Sequence, residues 1–340
     1  EDKVGVLREL TELQDFTEEQ QRQLDDALGQ ANPESKRCQI EDVQFLSKLG
    51  QGSFGTVWKC TYGSRFAAVK TLNATDATPD NIKRFAYEIN MMERLNHPGI
   101  VSLHFAVVTP PKLCLGMELA KCDLTACLKS GMAVPDCEAH EVGMSWHSTS
   151  KGPGMVKMIL SIADALSYCH DLNICHRDVK TDNCLVMHDF RCVLSDFGEA
   201  KELNSNNTSV GTPYYVAPEI FSGNGDYNLQ CDVYSFGVLL GVALNFGSVS
   251  EFFFWDRPRK LSGYIVSQRV LSGWRPKPKP MFKTYCPTVV GLIQRCMMGV
   301  PEDRPTMKDV VRVLREWKGD GHGEVTTEDV VRAALDDIPR

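Results

Sequence analysis

A glycine-rich run, Gly50-Gln51-Gly52-Ser53-Phe54-Gly55, leaves few ways of folding the first part of this chain. Such a run either opens a helix, as in dinucleotide-binding folds, or turns one strand back onto the next. Here Thr56, Val57 and Trp58 follow directly, and β-branched and aromatic residues favour a strand. We therefore predict a strand–turn–strand flap, in which glycines let backbone amides approach phosphate oxygens closely.

Composition excludes several classes of protein. The 340 residues suffice for two domains or one large bilobal unit. A net charge of −7 disfavours a nucleic-acid binder, so no nucleic-acid partner is expected. No apolar stretch approaches the roughly 18 to 20 residues of a membrane-spanning helix, so we predict no membrane-spanning segment. The 13 cysteines form no C-x-x-C pair, which predicts buried thiols in a reducing, cytoplasmic compartment and no structural zinc site.

The two ends of the chain differ from its main body. Residues 1–41 show a helical apolar spacing, and Thr17-Glu18-Glu19-Gln20 has the form of a capping box. We expect a helical extension that packs on the main body or joins two copies of the chain. Residues 319–340 begin with a glycine-rich hinge and predict a short helical tail. A start at Glu1 without a signal peptide predicts a fragment of a longer protein.

The main body, residues 42–318, changes character along its length. Residues 42–120 are strand-rich and contain one clear amphipathic helix, Asp80–Leu95. Helices dominate residues 121–318, except that residues 130–154 lack periodicity and predict an exposed insertion loop. The predicted strands are Phe45–Leu49, Thr56–Thr61, Phe66–Leu72, Val101–Val108 and Leu113–Leu119.

Further motifs follow the glycine run in a fixed order. They are Ala68-Val69-Lys70, His176-Arg177-Asp178-Val179-Lys180-Thr181-Asp182-Asn183, Asp196-Phe197-Gly198 and Ala217-Pro218-Glu219. With these motifs the chain resembles the eukaryotic protein kinase family over roughly residues 42–318. The resemblance implies an α+β, bilobal protein-kinase fold, with a small antiparallel β-sheet lobe that has one main helix and a larger, mostly helical lobe.

The resemblance also implies an ATP site, in which Lys70 bridges the α- and β-phosphates and pairs with a helix glutamate. The helical wheel alone leaves Glu88 and Glu93 open, because both flank the apolar stripe. The spacing ahead of Arg94 resembles the family pattern with Glu88 as the partner, and Met117 takes the gatekeeper position. The implied ATP contacts are Gly50, Gly52, Gly55, Val57, Ala68, Lys70, Met117, Leu185 and the backbone of Glu118 and Ala120.

Phosphoryl transfer requires a carboxylate near the attacking hydroxyl, a cation near the γ-phosphate and oxygen ligands for Mg²⁺. Asp178, Lys180, Asn183 and Asp196 are residues of these types. By resemblance, Asp178 accepts the proton of the substrate hydroxyl and Lys180 neutralises charge on the transferred group. Asn183 and Asp196 hold the metal, so the implied cofactors are ATP and Mg²⁺.

Three features concern the substrate. Lys180 in the catalytic-loop motif and Thr212 ahead of Ala-Pro-Glu resemble serine/threonine kinases that act on protein substrates. Gly273-Trp274-Arg275-Pro276 is one of several runs that resemble the tyrosine-kinase-like group of these kinases. Glu199 replaces the apolar or hydroxyl residue that usually follows Asp-Phe-Gly, so no preference between serine and threonine follows from that position.

The polar, asparagine-rich loop after Asp-Phe-Gly predicts a regulatory segment. Spacing favours Thr208 as the phosphorylated residue, with Ser209 second, and an unmodified loop is the alternative. A phosphate there would be held by Arg177 and Lys201.

Two structural pairings are implied by the same resemblance. Glu219 is expected to form a buried ion pair with Arg304. Asp232 is expected to accept backbone amides of the catalytic loop.

The resulting hypothesis is a serine/threonine kinase of protein substrates in signalling. A nucleotide-binding scaffold, weakly active or pseudokinase-like, is the main alternative, and a dual-specificity or small-molecule kinase is a further one. A scaffold would normally lack Lys70, Asp178 or Asp196, and all three are present. The sequence therefore favours an active enzyme.

Overall fold

The computed structural model describes most of the main body of the chain. The chain forms two compact units, one made of Glu1–Lys121 with Asp196–Glu199, the other of Cys122–Ser195 with Ala200–Arg340. The described residues are 18, 19, 22, 26, 37–52, 55–72, 78–108, 113–130, 152–202, 212–221, 228–244, 249–254, 262–278 and 286–317.

Four of the sequence predictions therefore lie wholly or mostly outside the described residues. They are the helical tail at residues 319–340, most of the extension at residues 1–41, residues 131–151 of the insertion loop, and the phosphorylation sites Thr208 and Ser209.

The first unit contains a five-stranded antiparallel sheet. Its strands follow the order β1-β2-β3-β5-β4 across the sheet. Compared with the predicted strands, β1 extends further, because its pairing with β2 continues to Gly52 opposite Gly55. The bounds are Val43–Gly52 (β1), Gly55–Tyr62 (β2), Arg65–Leu72 (β3), Leu103–Val107 (β4) and Leu113–Glu118 (β5).

Alternation of apolar residues explains why these segments form a sheet with a packed face. Trp58, Val69 and Phe105 belong to one buried cluster on this face. Gly116 lies directly against the Phe105 ring, because a Cβ at Gly116 would stand 2.4 Å from that ring. The small residue in β5 thus leaves space for the aromatic ring from β4.

One helix, α1 (Pro79–Arg94), lies between β3 and β4 along the chain. It begins where predicted because Thr78 caps it, its hydroxyl accepting the Asn81 amide at 3.3 Å, and proline suits the first turn. The predicted apolar stripe is buried, and so is the carboxylate-bearing Glu88, at 3% exposure. A buried charge on this helix requires a partner.

The second unit is mainly helical. The helix Gln230–Leu244 is buried on nearly all sides, because its sequence from Phe236 to Leu244 contains no polar side chain. Among the short strands, Cys184–Val186 pairs with both Cys122–Asp123 and Cys192–Leu194, and Ile174–Cys175 pairs with Lys201–Glu202. The helices are Leu124–Ser130 (α2), Gly152–Asp171 (α3), Pro218–Phe221 (α4), Gln230–Leu244 (α5), Val249–Phe254 (α6), Gly263–Leu271 (α7), Pro287–Cys296 (α8) and Met307–Glu316 (α9). The strands are Cys122–Asp123 (β6), Ile174–Cys175 (β7), Cys184–Val186 (β8), Cys192–Leu194 (β9) and Lys201–Glu202 (β10).

Both edges of the predicted insertion loop overlap helices. Helix α2 continues to Ser130 and α3 begins at Gly152, so the predicted bounds 130–154 were wrong at both ends. The glycines and Pro153 suggested a loop, but proline is tolerated in the first turn of a helix.

In the second unit, a buried ion pair joins α4 to the segment that precedes α9. The guanidinium of Arg304 donates to both carboxylate oxygens of Glu219, at 2.6 and 2.7 Å. It also donates to the carbonyl oxygens of Met298 and Gln230, each at 2.8 Å, and stands over the ring of Tyr234. The implied pairing is confirmed.

The two units match the predicted fold class. One is an antiparallel sheet with one long helix among its described residues, and the other is mostly helical. The α+β, bilobal class is therefore confirmed. Within the described part of the chain, no helix has both the length and the apolar character needed to cross a membrane.

Candidate active site

In the first unit, Lys70 stands between two carboxylates. Its Nζ lies 2.8 and 2.9 Å from the carboxylate oxygens of Glu88 and 3.2 Å from Oδ1 of Asp196. Burial acts to lower the pKa of Lys70, but the charges of Glu88 and Asp196 outweigh it and hold this pKa above its usual range. The amine is therefore a fixed cation, and the structure pairs it with Glu88, the glutamate that the spacing favoured.

The backbone at Asp196 is left-handed, with φ 62°. Few non-glycine residues adopt this conformation, although asparagine and aspartate do so more readily than most, and it costs roughly 1–2 kcal/mol for an ordinary residue. Phe197, the next residue, is fully buried, while the Asp196 side chain is 41% exposed. The strained turn thus anchors an apolar ring and leaves the neighbouring carboxylate partly open to solvent.

The glycine run ends β1 and begins β2, with Gly52 opposite Gly55, and Ser53 and Phe54 between them lie outside the described residues. Gly55 has φ 149°, and a Cβ there would stand 1.8 Å from the carbonyl oxygen of Thr71. Only glycine fits this position. At Gly50, by contrast, a Cβ would meet no atom within 4 Å, so the backbone there is open to a ligand.

Val57, Ala68 and Met117 of the implied adenine side lie on β2, β3 and β5. In the sheet, Val57 is opposite Lys70 and Ala68 is opposite Met117. The N–H of Glu118 donates to the carbonyl oxygen of Ser102 at 3.0 Å. The backbone N–H of Glu118 therefore already forms a hydrogen bond within the protein. Ala120 follows β5, and Leu185 lies half-buried on β8 in the second unit.

In the second unit, Asp178 is the centre of a polar network. Its Oδ2 accepts from Lys180 Nζ at 2.6 Å and from Asn183 Nδ2 at 2.9 Å. The hydroxyl of Thr212 lies 3.4 Å from Asp178 Oδ1 and 3.2 Å from Lys180 Nζ. A carboxylate thus lies within hydrogen-bonding distance of a cation, an amide and a hydroxyl. Such a group of side chains can orient a substrate hydroxyl.

Asp232 accepts hydrogen bonds from the backbone of this catalytic loop. One of its oxygens accepts the His176 amide at 2.8 Å, and the other accepts the Arg177 amide at 2.9 Å. Burial would raise the pKa of Asp232, but the His170 ring at 3.0 Å and the nearby His176 lower it overall. The predicted amide acceptor is confirmed. Its bonds fix Arg177 at a left-handed φ of 70°.

The segment before Asp196 is tied to the same loop. The N–H and the hydroxyl of Ser195 both donate to the carbonyl oxygen of Asn183, at 2.9 Å each. The Nε2 of His176 lies 3.0 Å from the carbonyl oxygen of Ser195. These bonds couple the catalytic loop to the end of β9, where the Asp-Phe-Gly motif begins.

The proposed phosphate-holding residues are placed only in part. Arg177 is buried, and Lys201 lies half-buried on β10 opposite Cys175 of β7. Thr208 and Ser209 are outside the described residues, so their relation to these cations stays a prediction.

Among the contacts not foreseen from the sequence, two groups lie near the site. Arg84 of α1 forms an ion pair with Glu199, 2.9 Å long, in the first unit. In the second unit, the hydroxyl of Thr181 forms hydrogen bonds with the hydroxyl of Thr125, at 2.6 Å, and with the hydroxyl of Tyr215, at 3.1 Å. Only the unusual glutamate after Asp-Phe-Gly signalled the first contact, and nothing in the sequence signalled the second, because its residues are far apart along the chain.

Two cysteines lie close to Asp232. Their sulfur atoms, from Cys175 and Cys231, are 3.2 Å apart, and with Asp232 they place metal-type ligand atoms within 4.8 Å of one another. The thiol–thiol contact and burial hold the pKa of Cys175 well above its usual range, so its thiol stays protonated. Both Asp232 oxygens already accept amides. The arrangement therefore supports a structural role for these thiols.

Comparison with known proteins agrees with this chemistry. A family model described as the protein kinase domain matches residues 43–314. The chain is 28% identical over 283 residues to a probable serine/threonine-protein kinase of Dictyostelium discoideum, covering 82% of this chain and 28% of that protein. It is 29% identical over 286 residues to the serine/threonine-protein kinase CTR1 of Arabidopsis thaliana, covering 81% and 31%.

A third relative is a putative serine/threonine-protein kinase/receptor of Acanthamoeba polyphaga mimivirus. It is 28% identical over 283 residues, covering 82% of this chain and 15% of that protein. The chain thus spans less than a third of the length of these three curated relatives. Because the family model covers most of the sequence and the catalytic motifs adopt the described geometry, the chain belongs to the protein kinase family.

Proposed function

We propose that this chain is a protein serine/threonine kinase that transfers the γ-phosphate of ATP to hydroxyls of protein substrates, in a signalling role. The observation that carries the proposal is the network around Asp178, in which Lys180 and Asn183 hold one oxygen of the carboxylate. The reaction needs a carboxylate at this position, because it orients the substrate hydroxyl and accepts its proton.

The residues fit ATP and Mg²⁺ as cofactors. Asn183 donates through Nδ2 to two oxygens of Asp178, so its carbonyl Oδ1 lies on the other side of the planar amide. Asp196 presents a partly exposed carboxylate beside Lys70. These hard oxygen donors suit Mg²⁺, and we assign Asn183 and Asp196 as its ligands. When bound, Mg²⁺ neutralises phosphate charge.

The chain's own residues supply positioning and charge in this proposal. Lys70, held as a cation by Glu88, binds the α- and β-phosphates. The open backbone at Gly50 and the tight turn at Gly55 admit phosphate oxygens close to main-chain amides. Lys180 neutralises charge on the transferred group, next to the hydroxyl of Thr212.

Turnover of ATP distinguishes an active kinase from a nucleotide-binding scaffold. Purified chain, Mg-ATP and a generic protein substrate are expected to give phosphoserine and phosphothreonine, and Asp178→Asn is expected to reduce the rate at least about 100-fold. Asp182→Asn is the matched control, because Asp182 is exposed in the same loop.

Each alternative predicts a different result. A scaffold would show a nucleotide-induced thermal shift, about 2.7 kcal/mol of stabilisation at 100 times the dissociation constant, without turnover. Phosphotyrosine in the product would indicate dual specificity. Equal rates for wild type and Asp178→Asn would contradict the role of Asp178.

Four finer assignments belong to the same proposal. The chain is assigned to the tyrosine-kinase-like group, on the motifs noted in the sequence. A cytoplasmic location is supported by reduced thiols at the described cysteines. Residues 1–41 are proposed to contact the kinase body or a second copy. Thr208, with Ser209 second, is proposed as a phosphorylation site read by Arg177 and Lys201.

A further inference from the structure

The ion pair between Arg84 and Glu199 joins helix α1 to the turn that carries Asp196. Nη1 of Arg84 lies 2.9 Å from Oε1 of Glu199, whose side chain is only 16% exposed. Arg84 precedes Glu88 by four residues on α1, so the two side chains lie on one face of the helix. That face therefore contacts the chain around Asp196 at two points.

The turn from Phe197 to Glu199 is shaped to accept both contacts. A Cβ on Gly198 would lie 3.4 Å from Oε2 of Glu88 and 3.5 Å from Oδ1 of Asp196. The backbone of this turn thus runs directly past the Glu88 carboxylate. Arg84 and Glu199 line the same small, open cleft as Lys70, Glu88 and Asp196.

The charges in this cleft explain why Arg84 matters to its neighbours. Three carboxylates, those of Glu88, Asp196 and Glu199, line this cleft, and the amine of Lys70 bonds the first two. Burial raises the pKa of Glu88, the Lys70 charge lowers it, and the charges of Asp196 and Glu199 raise it again. Without Arg84, the Glu199 charge would repel the two carboxylates that hold Lys70.

We propose that Arg84 and Glu199 are a positioning pair for phosphoryl transfer, whose ion pair holds the turn at Phe197–Glu199 against α1 so that Lys70 keeps both Glu88 and Asp196. The proposal rests on the kinase activity proposed above. Neither residue touches the reacting atoms, and both act through Lys70. It also gives a role to the glutamate that departs from the usual residue after Asp-Phe-Gly.

A charge-swap experiment separates positioning from mere stability. The variants are Arg84→Glu, Glu199→Arg and the two together. Lys83→Glu is the matched control, because Lys83 is the exposed neighbour of Arg84 on the same helix. It is made alone and combined with Glu199→Arg, where it supplies the same new charge at the wrong position.

Each single reversal is expected to lower kcat about threefold to tenfold and to leave the KM of the protein substrate unchanged. The swapped pair is expected to recover to within about twofold of wild type. Lys83→Glu alone is expected to match wild type, and with Glu199→Arg to stay as slow as Glu199→Arg.

A second measurement does not depend on activity. Acetylation of the Lys70 amine by N-hydroxysuccinimide acetate, followed by peptide mass spectrometry without nucleotide, reports how well the amine is held. Both single reversals are expected to speed this reaction about threefold, and the swap to restore the wild-type rate. Glu199→Gln, which removes the charge with almost no change in size, is expected to shift both readouts in the same direction.

The two readouts keep the proposals apart. If wild type transfers no phosphate, the proposed function fails and Lys70 acetylation alone decides the role of the pair. If wild type is active but single reversals change neither kcat nor acetylation, the positioning role is overturned. A swapped pair that recovers neither readout overturns it as well.

Discussion

The buried pair of Glu219 and Arg304 should account for a large share of the stability of the second unit. The Arg304 side chain is fully buried, while Glu219 retains 16% exposure. Glu219→Leu leaves a buried guanidinium without its counter-charge, which costs roughly 3–5 kcal/mol. Arg304→Met leaves a carboxylate that water can still reach, so the loss of stability should be about 3 kcal/mol.

The double variant provides the decisive comparison. Glu219→Leu with Arg304→Met removes both charges together, so we expect its loss of stability to be smaller than the sum of the single losses by at least about 1 kcal/mol. Urea unfolding followed by circular dichroism measures each free energy, and the larger single loss should lower Tm by at least about 6 °C.

An exposed ion pair serves as the control. Arg312 and Asp309 are 63% and 45% exposed, and Arg312→Met should cost less than about 1 kcal/mol. If Arg304→Met were as mild as Arg312→Met, or if the two changes at the buried pair were additive, the assignment of stability to desolvated charge would be wrong.

Three further predictions concern buried groups. The folded pKa of Asp232 lies below its ordinary value of 3.8, so its ionisation stabilises the fold above that pH and this stabilisation is lost as pH falls through the folded pKa. Asp232→Asn should therefore lower stability at pH 7 and flatten the acid side of a stability–pH curve, and an unchanged curve would contradict this. Burial raises the pKa of Cys60 to about 12, so iodoacetamide at pH 8 should label it more than about tenfold slower in the native chain than in urea, as peptide mass spectrometry would show. Gly116→Ala should cost about 1–3 kcal/mol in urea unfolding, because its Cβ would overlap the Phe105 ring; a neutral effect would mean that the ring moves aside easily.

Local sequence signals predicted the sheet and the first helix well. Short runs of strand-forming residues identified all five strands of the sheet to within a few residues, and the Thr78 cap with Pro79 explains where α1 starts. Strand ends were less predictable, because pairing with a neighbouring strand, as at Gly52 and Gly55, decides how far a strand extends.

Contacts between distant residues were predicted only where a family pattern covers them. The pairing of Glu219 with Arg304 followed from resemblance, since no local signal joins residues so far apart. The helical wheel left Glu88 and Glu93 equivalent, the family spacing favoured Glu88, and the structure shows that Glu88 contacts Lys70. The Arg84 contact depends on the path of the chain after Asp-Phe-Gly, which spacing along the sequence does not encode.

Two residues of the proposed site lie at strained positions of the backbone. Arg177 and Asp196, at 70° and 62°, are two of the four described non-glycine residues with left-handed φ angles. Glycine would relax each position by roughly 1–2 kcal/mol, yet it would remove a side chain to which the proposed function assigns a role. Selection for thermal robustness and selection for catalysis therefore oppose one another at these two residues. A thermostabilised version of this enzyme would have to draw its gains from other parts of the chain.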